Sequence, residues 1–341
     1  MDKIDDMLRA LALPFDRGFL DMPARAFWLR AECGEALAPW RDRLECRQSF
    51  KPAFDRLNAA GYRAVERLAG PYGLGLCLLS KHKGESRAAL AQGLDLLEPG
   101  GVLVCCGANA LGAASLEKEA AALVGLAGAL SKHQCRVFWL QKGEQLPAGL
   151  AEWRAEATPH PVGDSGLVAR AGCFSCDHVD KGSALLAEHF PAGMAGRVAD
   201  LGAGWGYLAA RVLSRFDAVT SVDLYEAEAL ALDDARHNLA AYGGRAAFYW
   251  QDVCAGLADV APYDWIVCNP PFHDGGKADP AIGQAFITAA WKAIRRRGKF
   301  LLVANQHLPY EAELRRRFRD VELVTLAQGF KVYLSSNRHD R

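Results

Sequence analysis

Residues 196–207 read GRVADLGAGWGY, a short apolar run followed by three glycines at alternate positions. The apolar run predicts a strand over 196–201, and the pattern after the glycines predicts a helix over 207–216. Glycine lets the backbone turn sharply and approach a ligand closely, and ligands of open α/β sheets bind at the carboxyl ends of the strands. The stretch therefore predicts a strand, a ligand-binding turn and a helix.

Strand and helix patterns alternate along the rest of the second half. In chain order they predict a strand at 217–223, a helix at 226–241, strands at 246–250 and 265–268, a helix at 281–297, a strand at 300–304 and a helix at 311–318. This alternation favours a mostly parallel sheet flanked by helices. Two further runs, 321–325 and 331–334, predict an antiparallel hairpin that closes the sheet.

The first half repeats this pattern less completely and has no glycine-rich strand end preceded by Asp. Its predicted elements are strands at 75–79 and 102–106 and helices at 86–97 and 114–130. We therefore expect an α/β fold of two tandem domains. A degenerate copy without a cofactor site spans 1–155, a complete domain spans 162–341, and the proline-containing segment 147–161 links them.

Composition excludes several classes of protein. The chain has 341 residues, 51% hydrophobic and 23% charged, which excludes disorder and favours two domains. It has no uncharged apolar run of about 18 residues, its N-terminus does not resemble a secretory signal, and most of its cysteines lie in apolar runs, so we expect a cytoplasmic protein without a membrane partner. Cys173 and Cys176 form one CxxC without further ligands at zinc spacing, so no metal is expected.

The glycine turn carries an acid. The dinucleotide fingerprint would need glycine at 207, where the chain has Tyr207. Asp200 precedes the first glycine, and a carboxylate there would repel a phosphate and attract an ammonium group. We expect Asp200 to bind a ligand ammonium directly or through water, with capping of the next helix as the alternative.

Two more acids follow the next strands in order. Asp223 is predicted to end the second strand, where a carboxylate can accept hydrogen bonds from both hydroxyls of a ribose. Asp252 follows the third strand and can accept a hydrogen bond from an adenine amino group. Each acid alone is more often a turn residue. Three acids on successive strand ends are a stronger indication of a nucleoside site.

Residues 268–276 read CNPPFHDGG and predict a rigid corner, because two prolines end the fourth strand. The Asn269 side-chain oxygen and the Pro270 carbonyl can accept the two N–H bonds of an amine, and Phe272 can stack on its ring. His273 is a possible base. Since this chemistry needs only acceptors, we expect it to pack or to cap the loop.

Asp200, the three glycines and the Asn-Pro-Pro-Phe corner resemble the class I S-adenosylmethionine-dependent methyltransferases, in which such a corner is typical of enzymes that methylate nitrogen conjugated to a ring or carbonyl. Segments 173–183, 303–310 and 329–333 make the chain similar to the ribosomal RNA small subunit methyltransferase C family. The resemblance implies two tandem class I (Rossmann-like) domains, the first degenerate. It also implies S-adenosylmethionine as cofactor, methylation of a guanine N2 amine of 16S rRNA, and a monomer whose partner is ribosomal RNA or the small subunit.

The resemblance also assigns roles to individual residues. Methyl transfer is assigned to Asn269, Pro270, Pro271 and Phe272. Cofactor contacts are assigned to Phe174, Gly182, Asp200, Gly202, Gly204, Asp223, Leu224, Asp252, Val253 and Asn269. The chain departs from the family pattern at Cys176, where Arg is usual, and in the segment 223–227.

Positive charge is concentrated in the last 61 residues, although the net charge of the whole chain is zero. Residues 281–341 contain 12 Lys and Arg against 5 Asp and Glu. Solvated helix ends explain such clusters at least as well as RNA contact does. The candidates for RNA contact are Lys81, Lys83, Arg295, Arg296, Arg315 and Arg316.

Several alternatives remain open at this point. A 23S rRNA guanine-N2 methyltransferase is hard to separate, because base choice depends on RNA shape. A protein glutamine N5-methyltransferase would usually have Tyr in place of Phe272 and would lack the front domain. A non-catalytic RNA-binding module is a third possibility, and an NAD oxidoreductase is disfavoured by Tyr207.

Overall fold

The computed structural model describes residues 3–257, 262–271, 273–274 and 277–337, with the backbone alone for 273–274 and 277–278. The chain divides into two compact units. The first comprises Met1–Pro159 and Arg170–Gly172, and the second comprises His160–Ala169 and Cys173–Arg341. None of the described helices is long and apolar enough to cross a membrane.

The first unit is built on one mixed sheet. Its strands are β1 (Ala26–Leu29), β2 (Leu44–Arg47), β3 (Arg63–Val65), β4 (Tyr72–Leu78), β5 (Leu97–Ala108), β6 (Gly128–Lys132) and β7 (Cys135–Gln141). Its helices are α1 (Lys3–Asp16), α2 (Lys51–Ala59), α3 (Lys83–Leu96), α4 (Ala113–Leu123) and α5 (Leu150–Ala155), with 3-10 turns at Glu35–Arg43 and Asn109–Leu111. The strand order is β3-β2-β1-β4-β5-β7-β6, and β7 runs in the opposite direction to the other six strands.

The second unit opens with a small hairpin, β8 (His160–Pro161) and β9 (Val168–Ala169). Its remaining strands are β10 (Gly196–Leu201), β11 (Val219–Glu226), β12 (Ala246–Trp250), β13 (Tyr263–Cys268), β14 (His273–Asp274), β15 (Lys277–Ala278), β16 (Ile294–Asn305), β17 (Asp320–Ala327) and β18 (Phe330–Ser336). Its helices are α6 (Lys181–Glu188), α7 (Tyr207–Arg215), α8 (Ala229–Asn238), α9 (Pro280–Ala293) and α10 (Tyr310–Arg317), with 3-10 turns at Ala240–Arg245 and Val253–Ala255.

The main sheet of the second unit has the order β12-β11-β10-β13-β16-β18-β17, which matches the first sheet strand for strand. The first five strands are parallel, and the hairpin of β17 and β18 closes the sheet antiparallel to β16. Strands between two layers of helices must be apolar on both faces. Accordingly Val198 of β10 packs in the core under α6 and α7, while Ala199 and Leu201 pack in the core under α9. The predicted pair of mostly parallel sheets with a closing hairpin is confirmed.

Several predicted boundaries are wrong for local reasons. The predicted helix at 114–130 ends at Leu123, because Gly125 adopts φ +88° and the chain then forms β6. Helix α9 ends at Ala293, so the cluster at 295–297 lies in β16 and not at a helix end. The predicted linker 147–161 contains α5 and β8. In the first unit, five strands and two further helices had no predicted counterpart: β1, β2, β3, β6, β7, α1 and α2.

Candidate active site

A pocket opens at the carboxyl end of β10 and joins three separate parts of the sequence. It is lined by Gly202, Ala203, Gly204, Trp205, Tyr207 and Leu208 of the glycine turn and α7, by Phe174, Ser175, Asp180 and Ser183 before and within α6, and by Asn269 after β13. The structure thus brings together four of the predicted site residues, Phe174, Gly202, Gly204 and Asn269.

The glycines of the turn do two different things. Gly202, Gly204 and Gly206 have φ angles of +72°, +54° and +87°, a region that side chains of L-residues rarely adopt. A Cβ atom on Gly204 would meet nothing within 4 Å, so the space above this backbone is open to a ligand. A Cβ atom on Gly206 would lie 3.2 Å from that of Ala235, so this glycine permits close packing of α7 on α8.

Asp200 is fully buried and does not line the pocket. It shares the face of β10 that α7 covers, and its Oδ2 accepts a hydrogen bond from the Ala209 N–H at 3.0 Å. The alternative role, a cap on the next helix, describes what Oδ2 does. Asp200 Oδ1 has no hydrogen-bond partner among the described residues, and the predicted contact with a ligand ammonium, directly or through water, stays a prediction. Burial raises the pKa of Asp200 to about 7, the Glu226 carboxylate adds to that rise, and the bond from Ala209 opposes it.

The ribose acceptor was predicted three residues too early. Strand β11 continues to Glu226, so Asp223 lies within it, opposite Ala199. The Asp223 carboxylate accepts hydrogen bonds from the Arg197 guanidinium at 2.8 Å and from the Tyr263 hydroxyl at 2.7 Å, which allows an acid inside the sheet. Leu224 is fully buried in the core. The predicted cofactor contacts of Asp223 and Leu224 are both corrected.

Glu226 is the acid that stands at the end of the second strand. Its Oε2 accepts the Gly204 N–H at 2.7 Å and its Oε1 accepts the Glu228 N–H at 2.8 Å, so the carboxylate is fixed beside the glycine turn. Burial raises the pKa of Glu226 despite these two bonds. Sequence reasoning missed this residue because Asp223 came first in the same strand. The sequence signal for Glu226 was the apolar pair Leu224 and Tyr225 between the two acids, which indicates that the strand continues beyond Asp223.

The third acid lies where it was predicted, just beyond a strand end. β12 ends at Trp250, and the half-buried Asp252 caps the 3-10 turn through a hydrogen bond from the Cys254 N–H at 2.8 Å. The Val253 side chain is buried in the core that α9 covers, so only its backbone remains for contact with a ligand.

The segment before α6 covers one side of the pocket. Phe174 is 61% exposed, and its carbonyl accepts a hydrogen bond from Trp205 Nε1 at 2.9 Å, which ties this segment to the glycine turn. Gly182 is buried and does not line the pocket, and its predicted contact, backbone access for the methionine end of the cofactor, stays a prediction. A Cβ atom there would lie 3.0 Å from the Phe330 ring and 3.1 Å from Asp180 Oδ2, so this glycine leaves room for those two groups.

The Asn-Pro-Pro corner follows β13 directly. Asn269 lines the pocket, Pro270 is buried and Pro271 is exposed. The Asn269 amide nitrogen donates to Asp180 Oδ2 and to Ser183 Oγ, each at 2.8 Å. Neither Asp180 nor Ser183 was predicted individually, and the fourth residue of the corner, Phe272, lies outside the described residues.

Spacing along the sequence predicted no metal site, but the fold brings one group of potential ligands together. The ligand atoms of His160, Cys176 and Asp177 lie within 4.8 Å of one another. His160 Nε2 lies 3.6 Å from Asp177 Oδ1, and the two side chains form an ion pair when the imidazole is protonated.

The first unit differs at the position of the glycine turn. After β1 the chain continues with Arg30, Ala31 and Glu32, and Arg30 adopts φ +55° without being glycine. Its guanidinium forms an ion pair with Glu85 in the first turn of α3. A charged pair therefore stands after the first strand of this unit, where the second unit has its open glycine turn.

Most of the candidate RNA-binding residues already have acidic neighbours. Lys83 pairs with Glu119, Arg295 with Asp264, Arg315 with Glu311, and Arg316 with Glu313. Lys81 and Arg296 are exposed, and neither forms an ion pair within the part of the chain that the structure describes. Of the six candidate residues, Lys81 and Arg296 therefore have the positive charge that is most available to RNA phosphates.

The chain is similar to known methyltransferases. Residues 164–334 match the family "Methyltransferase small domain". Ribosomal RNA small subunit methyltransferase C of Shewanella piezotolerans is 32% identical over 246 residues, 71% of this chain and 70% of the relative. The protein of that name in Psychromonas ingrahamii is 28% identical over 283 residues, 82% of this chain and 80% of the relative.

One solved structure matches the whole chain. The 16S rRNA N2 G1207 methyltransferase (RsmC) of T. thermophilus, in complex with AdoMet and guanosine, superposes with a TM-score of 0.80 at 26% identity over 99% of this chain and 92% of that one. The fold and site therefore define a class I methyltransferase that uses S-adenosylmethionine. Within that class, the chain belongs to the ribosomal RNA small subunit methyltransferase C family.

The residues at the sheet edge fit this cofactor. The open space above Gly204 admits a ligand close to the backbone, and Glu226 and Asp252 present carboxylates at two adjacent strand ends. S-adenosylmethionine offers hydroxyl and amino donors to such acceptors. We propose that Glu226 holds the ribose, Asp252 and the Val253 backbone the adenine, and Gly202, Gly204 and Phe174 the methionine end.

Proposed function

We propose that this protein transfers the methyl group of S-adenosylmethionine to the exocyclic N2 amine of a guanine in 16S rRNA. The observation that carries the proposal is the state of Asn269, whose two amide N–H groups are both taken by Asp180 and Ser183. The side-chain oxygen Oδ1 is left as the acceptor at the pocket, and an amine needs an acceptor.

The chain's part in the reaction is to hold and orient the amine. Asn269 Oδ1 and the Pro270 carbonyl accept its two N–H bonds, which turns the nitrogen lone pair toward the methyl group and favours the geometry of the transition state. S-adenosylmethionine supplies that methyl group on a positively charged sulfur. The nitrogen would form a bond to the methyl carbon while the bond between sulfur and that carbon breaks, with its electron pair going to sulfur. S-adenosylhomocysteine would leave and one proton would pass from the nitrogen to solvent, so no side-chain base is required. Phe272 is proposed to stack on the guanine.

The choice of guanine N2 and of 16S rRNA rests on the relatives. The two curated relatives described above are small-subunit enzymes, and the solved structure that covers 99% of the chain is a 16S rRNA N2 methyltransferase in complex with guanosine. The first unit, with its own seven-stranded sheet, argues against a glutamine methyltransferase, because such an enzyme would lack this domain. We further propose that the enzyme is a cytoplasmic monomer and acts on the small subunit or its RNA.

The first unit, predicted at 1–155, is proposed to be a degenerate methyltransferase domain without cofactor that serves RNA contact. The ion pair of Arg30 and Glu85 after its first strand supports this. The candidates for RNA contact are Lys81 and Lys83 in this unit and Arg295, Arg296, Arg315 and Arg316 in the second.

The test is methyl transfer to small subunits isolated from cells that lack this protein. Labelled S-adenosylmethionine is supplied to the purified full chain, and the modified nucleoside is identified by mass spectrometry. The wild type should form N2-methylguanosine in 16S rRNA, and Asn269→Ala should bind the cofactor but lose transfer by at least about 100-fold. Modification of 23S rRNA instead would favour the large-subunit alternative, and Asn269→Ala with full activity would refute the assigned chemistry.

A further inference from the structure

The side-chain amide of Asn269 could stand in two orientations that differ by exchange of its oxygen and nitrogen. Only one presents the oxygen to an amine, and the hydrogen-bonding neighbours decide between them. Asp180 Oδ2 and Ser183 Oγ both lie 2.8 Å from the Asn269 nitrogen. A serine hydroxyl can donate or accept and therefore allows either orientation, whereas a carboxylate only accepts.

Asp180 is itself held in place by the start of α6. Its Oδ2 also accepts the Ser183 backbone N–H at 2.8 Å, as the N-cap of that helix. Gly182 makes this possible, because a Cβ atom there would crowd the same oxygen at 3.1 Å. One carboxylate oxygen thus joins the end of β13 to the first turn of α6.

From this geometry we infer that Asp180 and Ser183 are positioning residues for methyl transfer. They keep the Asn269 amide with its nitrogen toward α6 and its oxygen toward the pocket, and they act on the substrate only through Asn269. The sequence signal is the D-x-G-S spacing at 180–183, in which Gly182 provides space and the other two residues provide acceptors. The inference rests on the proposed function, in which Asn269 receives the amine.

Substitutions at 180 separate this role from helix capping. Asp180→Ser keeps an N-cap residue but removes the carboxylate that reaches Asn269, and we expect kcat for methyl transfer to fall about 10- to 100-fold. The Kd for S-adenosylmethionine, measured by calorimetry, should change less than about 3-fold. Asp180→Asn should keep kcat within about 3-fold, because the Ser183 N–H orients its amide oxygen into the same place. Ser183→Ala should lower kcat by about 3- to 10-fold, and Ser183→Thr should restore it.

Asp279→Ser is the matched control. Asp279 caps α9 through the Ala281 N–H at 2.9 Å, so the same replacement removes a cap carboxylate and should leave kcat unchanged. In an Asn269→Ala background, Asp180→Ser should lower the residual rate no further, since residues that act as a unit are not additive.

The outcomes distinguish this inference from the proposed function. If Asn269→Ala is inactive but Asp180→Ser and Ser183→Ala keep the wild-type kcat, the positioning role is wrong and the proposed function stands. If both variants weaken cofactor binding and leave kcat intact, they are cofactor ligands and the inference again fails. Should Asp180→Ser not fold, Ser183→Ala decides alone. A wild-type chain that methylates no RNA would remove the proposed function and this inference with it.

Discussion

At the scale of single residues, two acids in β11 have separate tasks. Asp223 is 4% exposed and holds Arg197 and Tyr263, and the Tyr263 hydroxyl in turn contacts that of Tyr225 at 2.7 Å. This is a buried polar network in which each group has a partner, as burial requires. Glu226, three residues later, stands at the edge beside Gly204. Position along one strand therefore separates a structural acid from a binding acid.

Substitution of the two acids should have different effects on cofactor affinity and on the free energy of unfolding. Glu226→Ala removes a charged acceptor and is expected to raise the Kd for S-adenosylmethionine about 10- to 100-fold, with little change in the free energy of unfolding. Asp223→Ala leaves Arg197 and Tyr263 without their acceptor and should lower the free energy of unfolding by about 2–3 kcal/mol, while the folded protein keeps its affinity. Calorimetric titration and urea unfolding measure the two quantities. Loss of cofactor affinity in Asp223→Ala alone would reverse the assignment.

The buried carboxyl of Asp200 should appear in the pH dependence of stability. Its pKa is raised to about 7 in the folded protein and is about 3.9 when unfolded, so between these values the folded state binds the extra proton. The contribution of Asp200 to stability is therefore complete below about pH 4 and is lost as the pH rises to about 7. Asp200→Asn does not titrate, and the wild type should lose on the order of 4 kcal/mol relative to it over this range.

Urea unfolding of the two proteins from pH 4 to pH 8 measures that difference directly. A difference that stays constant across the range would mean that Asp200 is ionised in the folded protein, and its role as a buried cap would need revision.

At the scale of elements, the sequence predicts the regular elements of the second unit well and their ends poorly, and it misses much of the first unit. β12 and the closing hairpin were found because each is a short apolar run bounded by turn residues. β11 was ended at Asp223 because an acid inside a central strand is rare, and the partners that permit it, Arg197 and Tyr263, are distant in sequence. β3 has only three residues, too few for a periodic pattern to emerge.

The site residues also divide into those predicted from local patterns and those whose contacts are distant in sequence. The glycine turn and the Asn-Pro-Pro corner are local patterns, so Gly202, Gly204 and Asn269 were predicted from the chain alone and meet in one pocket. Asp180 and Ser183 are separated from Asn269 by 89 and 86 residues, and only the fold shows that they bond its amide.

The glycine turn offers a matched pair of substitutions. Gly204 and Gly243 have φ angles of +54° and +55°, and a Cβ atom on either would meet no atom within 4 Å. Gly204→Ala and Gly243→Ala should therefore both lower the free energy of unfolding through backbone strain, and Gly243→Ala by at least as much, because its ψ of −133° lies in a region that essentially only glycine adopts. Only Gly204→Ala should also weaken S-adenosylmethionine binding, by about 10-fold or more, because Gly243 precedes β12 at its amino end, away from the binding edge. Equal affinities in the two variants would show that the cofactor does not approach Gly204.

At the scale of the whole molecule, two sheets of identical strand order have different residues after the corresponding first strands. In the second unit an open glycine turn follows the first strand of the sheet, and in the first unit the charged Arg30 stands there. Fold alone therefore does not specify activity, and the side chains at the strand ends decide it.

The available cations should contribute to rRNA affinity. Lys81→Ala and Arg296→Ala should each weaken binding about 3- to 10-fold near 0.1 M salt and reduce the slope of log K against log salt concentration by about one. Arg316→Ala is the control, since this guanidinium already forms an ion pair with Glu313, a carboxylate that it shares with Arg317, and it should change affinity less. Filter binding of 16S rRNA over a salt series measures both quantities. A larger loss for Arg316→Ala than for Lys81→Ala would contradict this assignment of the RNA-binding surface.

The proposed role of Asn269, which presents an acceptor to a guanine amine of 16S rRNA, can be tested in cells. N2-methylguanosine is mapped by mass spectrometry in 16S rRNA from cells that lack this protein and carry either the wild-type gene or Asn269→Ala. One N2-methylguanosine should be absent without the gene, restored by the wild type and not restored by Asn269→Ala. Its presence at the wild-type level in the deletion strain, or in the Asn269→Ala strain, would refute the proposed role of Asn269.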